Sequence, residues 1–184
     1  MTLQRRRWAA ELLHLWFHRL RAGDWFAVNP ALDEELRRRF ARELAMLSAR
    51  PAREFLGDPR TALAAVLLFD QLPRNLHRGT PQAFAYDPLA RSIARGAMDR
   101  GLDASLSRRE QQFLAMPLMH SEDIADQRRA VRYYAALGPG YGREFARSHY
   151  AMIARFGRFP HRNAVLERRS TPGEKRAVAA GFSW

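Results

Sequence analysis

Two short stretches of this chain hold the residue types that grip anions and move protons: Asp70-Gln71-Leu72-Pro73-Arg74-Asn75, and the run from Arg155 to Asn163. Asp70 follows the apolar segment Ala62–Phe69, so its carboxylate falls near the negative end of a helix and away from water. Both effects penalise the charge and require a cation nearby, for which Arg74, Arg155 and Arg158 are the candidates. Arg155 and Arg158 flank Gly157, a spacing that can form a fork holding a carboxylate through paired N–H donors. His161, Arg162 and Asn163 follow at once. With Asp70, Arg74, Asn75, Arg155 and Arg158 they make up the expected ligand-binding set. The two proline-containing loops are expected on one side of the fold, with Arg155 or Arg158 reaching Asp70. His161, Arg162, Asn75 and Asn163 would then rim a single polar recess. The competing reading is a buried ion-pair network that staples the C-terminal loop to the central helix, since buried charges must be paired whatever the function.

His120, Glu122, His149 and His161 are the candidates for catalysis, with His120 and Glu122 read as general acid and base. Each has a structural alternative. His149 shares a helical face with Phe145, Met152, Ile153 and Phe156, where a histidine commonly serves as a hydrogen-bonded core residue. In His120-Ser121-Glu122-Asp123, Ser121 can cap the following helix while the two acids favour its first turn.

Glu11, His14 and His18 share one helical face at metal-ligand spacing, but no glutamate stands beside the first histidine as in His-Glu-x-x-His. No metal is expected. The sequence has no dinucleotide glycine motif, no phosphate-binding loop and no Gly-x-Ser-x-Gly elbow. It also has no cysteine, which excludes disulfides and thiolate metal sites. No cofactor is expected.

These groups are carried by 184 residues with 31 basic and 19 acidic side chains, a formal charge of +12; apart from Lys175 every basic residue is arginine. The excess is spread along the chain and no basic arm exists, so the arginines read as solvated helix faces rather than a nucleic-acid footprint. Arg5-Arg6-Arg7 before apolar residues superficially matches a signal sequence. Glu11, His14, His18 and Arg19 interrupt that run, and no small-residue cleavage site follows. No apolar run approaches the ~20 residues of a membrane span. A cytoplasmic protein without a membrane partner is expected; its oligomeric state is left open.

The elements that must position these groups all read as helices. Trp8, Leu12, Leu15 and Trp16 make a helical stripe within residues 3–20, and Leu32, Leu36, Phe40, Leu44 and Leu47 make a second. Asn29-Pro30, Asp58-Pro59 and Asp87-Pro88 open helices, and Ser107 with Glu110 and Thr171 with Glu174 are capping boxes. Pro73 and Pro117 are expected to end theirs. Helices are further expected over 121–137, closed by Gly138, and over 141–156, closed by Gly157. The segment 59–70 has no polar face and must lie at the centre. Nothing alternates with period two. The expected architecture is all-α: one domain over 1–184, with seven to nine helices in an antiparallel array joined by short connections.

Three segments carry a family resemblance: Leu68 to Asn75 with Arg78-Gly79-Thr80, Pro117 to Asp123, and Arg155 to Asn163. Their order and spacing resemble the bacterial family known as domain of unknown function 924, and Leu15-Trp16-Phe17 is similar to its aromatic opening. The resemblance implies an all-helical, tetratricopeptide-like fold and no particular reaction. Where the family reads Leu-Gly-Arg-Glu-Ser-Thr, this chain has Leu166-Glu167-Arg168-Arg169-Ser170-Thr171. Glycine has become Glu167 and glutamate Arg169.

Three functions compete. The favoured one is a helical binding module for an anionic small molecule or acidic peptide, motivated by the donor density between Arg155 and Asn163. The second is a hydrolase or transferase acting on a phosphate or carboxylate ester. It requires a histidine and a carboxylate within ~3 Å of each other, reached by two arginines. Nucleic-acid binding, motivated only by net charge, comes last.

Overall fold

The structure, a computed structural model, describes residues 7–182. Helix α1 (Arg7–His14) runs into a π-helical turn, Leu15–Arg19, and together they bury Trp8, Leu12, Leu15 and Trp16. The part of the expected first helix before Arg7 lies outside the described residues, as do two of the three leading arginines. Helix α2 (Pro30–Leu47) starts as its sequence demands. The Asn29 side chain accepts from the Leu32 N–H, Pro30 occupies the first turn, and Leu32, Leu36, Phe40 and Leu44 face inward.

Helix α3 (Pro59–Val66) is capped by Asp58, which accepts from the Thr61 N–H. From Thr61 to Pro73 every residue is buried. The helix packs against α1, α5 (Asp87–Asp99) and α6 (Arg108–Met119), as an element without a polar face must. It does not end ahead of Pro73. The backbone widens into a π turn, Leu67–Gln71, in which the Leu72 N–H reaches back to the Leu67 carbonyl, and α4 (Leu72–Leu76) continues. A proline ring has no N–H and collides with the carbonyl four residues earlier, and a turn one residue wider makes room for it. Asp70 therefore sits inside a continuous helix. Pro117 does not end its helix either, since α6 runs on to Met119.

Helix α7 (Ile124–Leu137) is capped by Asp123, not Ser121; the Ser121 hydroxyl instead accepts from the Asp123 N–H and from Arg91. Helix α8 (Arg143–Phe156) ends at Gly157, whose φ of 70° is the left-handed conformation that glycine adopts without strain. A 3₁₀ turn, Pro160–Arg162, leads on to α9 (Pro172–Ala179), which opens with the expected Thr171–Glu174 capping box. Helix α7 packs between α6 and α8. Most of the core is one cluster built on the central helix, while Met152, Ile153, Phe159 and Ala177 form a small second cluster. Among the described residues there is no strand, and no helix is long and apolar enough to cross a membrane.

Candidate functional site

The π turn carries Asp70 into the interior, where the residue has no exposed surface. Its carboxylate accepts from the Gln71 side-chain amide and lies 3.3 Å from Arg74 Nη1. Both of its oxygens also face the Nδ1 of His120, at 2.9 and 3.0 Å. An ionised carboxylate only accepts, so Nδ1 carries the proton and Nε2 is left as the basic nitrogen. Burial disfavours the Asp70 charge, but Arg74, His120 and Gln71 outweigh it and hold the carboxyl below its ordinary value. The His120 side chain retains 16% of its surface exposed.

Arg74 reaches onward. It donates to the Asp70 carbonyl at 2.6 Å and grips Asp87 through both terminal nitrogens, at 2.8 and 3.0 Å. Burial disfavours its charge as well, but Asp70 and Asp87 raise its pKa. Arg162 Nη1 lies 3.5 Å from the same Asp87. The Arg162 guanidinium sits 4.6 Å from the ring centroids of both Phe84 and Phe159. Arg162 is 7% exposed, and its Nε is buried with no hydrogen-bond partner among the described residues. Burial and the nearby Arg74 charge push its pKa down to about 10, against the pull of Asp87, Glu122 and Asp70, so it stays charged at neutral pH.

Two further histidines line the same place. The His149 ring centroid is 6.2 Å from that of His120 and 5.4 Å from that of Phe159. Its Nδ1 donates to the Phe145 carbonyl at 2.7 Å, which sets its tautomer. Burial, then the charges of His120, Arg162 and His161, lower its pKa to about 3 against the opposing Phe145 bond. His161 lies 5.6 Å from Phe159 and is lowered to about 4 by burial and Arg162, despite Glu122. Both rings are neutral at physiological pH.

The other expected residues go elsewhere. Arg155 and Arg158 do not reach Asp70. Arg155 is exposed and lies over the Phe156 ring at 5.0 Å. The left-handed turn at Gly157 sends Arg158 toward α9, where it grips Glu174 at 2.6 and 3.0 Å and donates to the Arg169 carbonyl. Asn75 does not join His161 and Arg162; it donates to Asp33 at 2.8 Å, the carboxylate that Arg78 also clamps. Asn163 is fully buried and donates to Ser170 at 3.1 Å, fastening the loop from behind. Glu122 is not paired with His120. It accepts from both terminal nitrogens of Arg168, at 2.8 and 2.9 Å, and from the Phe159 N–H at 2.8 Å. Burial disfavours its charge, but those donors lower its pKa.

Glu11, His14 and His18 form no ligand set. Glu11 pairs with Arg7 at 2.9 Å, and the two imidazoles stack at 5.5 Å. Sequence reasoning missed Asp87, Phe84 and Phe159 as site residues. In the sequence Asp87 reads only as a helix start, and no spacing rule connects it to Arg74 and Arg162. Phe159 stands between cationic residues in the longest of the resembling segments.

The sequence pattern described as "Bacterial protein of unknown function (DUF924)" matches residues 12–181. The chain belongs to this family. It is similar to the solved structure of a protein of unknown function from Agrobacterium tumefaciens, with 38% identity and a TM-score of 0.88 over 94% of this chain and 97% of that one. None of the curated proteins matches. The helical architecture is shared with that structure.

Proposed function

We propose that the recess beside His120 binds an anionic small molecule, with Arg162 as its anchor. The observation that carries this reading is the state of the Arg162 guanidinium. Phe84 and Phe159 each lie 4.6 Å from its centre, which leaves its edge for a ligand, and among the described residues its ion pair, to Asp87, spans 3.5 Å. A guanidinium has five donors, and burying it with so few acceptors is costly unless a ligand supplies the rest. A carboxylate or phosphate oxygen pair matches that edge. The neutral imidazoles of His149 and His161 add shape and polarity without competing charge.

The test is thermal unfolding of the full chain with benzoate, phenyl phosphate and sulfate. An anion at a hundred times its dissociation constant stabilises by about 2.7 kcal/mol, and the response should vanish in Arg162→Met, which keeps the stacking volume. No response to any anion overturns the reading. A response only to acidic peptides would replace the small molecule with a peptide.

The Asp70–His120 pair favours a second reading, an ester hydrolase or transferase, because an imidazole oriented through Nδ1 presents a general base at Nε2. Hydrolysis of p-nitrophenyl esters that is lost in Asp70→Asn, without loss of anion binding, would support it.

A further inference from the structure

An anion entering this recess meets charges that are already balanced. Asp70, Asp87 and Glu122 are negative and Arg74, Arg162 and Arg168 positive, each arginine within ion-pair distance of one of these carboxylates. One more negative charge beside the buried Asp70 is costly unless a positive charge comes with it. The groups around His120 decide where that charge goes. The central helix presents Asp70, Arg74 and the neutral amide of Gln71; α8 presents His149; the 3₁₀ turn presents His161. The arginines are already protonated, and burial keeps His149 and His161 neutral. His120 has the Asp70 carboxylate across its Nδ1, so a proton added at Nε2 would sit on a ring already paired with an acid, and Nε2 is the atom left to accept.

We propose that the recess takes up a monoanion, a carboxylate or a singly charged phosphate ester, together with one proton that binds Nε2 of His120. The inference rests on the anion-binding reading above. The proton comes from solvent, forms an N–H bond at Nε2, and turns the Asp70–His120 hydrogen bond into an ion pair. A dianion would bring a second charge that this one proton leaves unmatched.

The test is calorimetric titration of the full chain with benzoate, phenyl phosphate and sulfate, at a fixed pH near 8 in two buffers of different ionisation heat and then across pH. Benzoate should take up about one proton, and its affinity should weaken by up to about tenfold per pH unit above the histidine range. His120→Gln keeps a donor near the Nε2 position and should bind benzoate with no proton uptake and no such pH slope. Benzoate reports the monoanion, whereas phenyl phosphate, a dianion near pH 8, should bind as poorly as sulfate. Benzoate binding without proton uptake, uptake unchanged in His120→Gln, or sulfate binding as well as benzoate overturns the proposal and leaves the Arg162 anchor standing. Absence of binding by every anion overturns both. Should His120→Gln fail to fold, imidazole ¹⁵N spectra of the unaltered protein decide. Saturating benzoate must convert His120 from the Nδ1–H tautomer to the doubly protonated ring, and an unchanged tautomer refutes the proposal.

Discussion

The Nδ1 of His120 bridges both carboxylate oxygens of Asp70, at 2.9 and 3.0 Å, across a sequence separation of 50 residues. That bond joins the end of α6 to the π turn of the central helix, so one buried carboxylate fixes an imidazole tautomer and also satisfies Arg74.

Removing that carboxylate should be severe. Asp70→Ala leaves Arg74 and His120 facing an apolar void, and a cost of roughly 3–5 kcal/mol is expected in urea unfolding at pH 7. Asp70→Asn separates charge from shape. Burial opposes the Asp70 charge, but Arg74 and His120 hold its pKa below the ordinary 3.8, so on acidification the unfolded chain takes up the proton first. The stabilisation is complete above that unfolded value and is lost as pH falls below it. The unaltered protein should therefore lose stability more steeply below pH ~4 than Asp70→Asn, and equal slopes would contradict the assignment.

His149 should leave a separate mark on the pH profile. Its pKa is lowered from 6.5 to about 3, first by burial and then by neighbouring cations, so its stabilisation is full above 6.5 and lost as pH falls toward 3. His149→Gln should flatten the stability curve across that window, by up to about 1.4 kcal/mol per pH unit. Chemical denaturation at half-unit pH steps measures it.

Leu67 and Leu68 test the architecture. Both are completely buried where the central helix widens. Either one changed to Ala should cost roughly 2–5 kcal/mol in equilibrium unfolding. A loss below ~0.5 kcal/mol, the scale of a surface change, would mean that the segment is not packed as described.

Glu167 predicts a gain. It is exposed and has φ 54°, the left-handed region that disfavours any side chain but suits glycine. Glu167→Gly should stabilise by about 1 kcal/mol and Glu167→Ala should not, as read from thermal midpoints.

What could be read from the sequence was mostly local. Asn29, Asp58, Ser107 and Thr171 cap the helices they were expected to cap, because a cap needs only its neighbours three residues on. The central position of 59–70 followed from its lack of a polar face. Pro73 and Pro117 misled because a proline has two outcomes: ending a helix, or being absorbed within it. Arg158 misled for a different reason. Glu174 was read as a cap alone, yet its carboxylate both completes the capping box and grips Arg158. The Asp70–His120 and Arg74–Asp87–Arg162 links were out of reach, since they join distant helices and no spacing rule connects them.

The small second cluster of Met152, Ile153, Phe159 and Ala177 divides the residues of the proposed recess between two hydrophobic clusters. Asp70, Arg74 and His120 stand on the large core, whereas His161 and Arg162 ride on the chain that the small one anchors. A cluster of that size can open without global unfolding, and opening would carry Arg162 away from the Asp70–His120 pair. A bound anion would span the division and act as a rivet. Amide exchange across residues 157–182 should then slow when ligand binds, while exchange in α3 stays at the rate set by the whole fold.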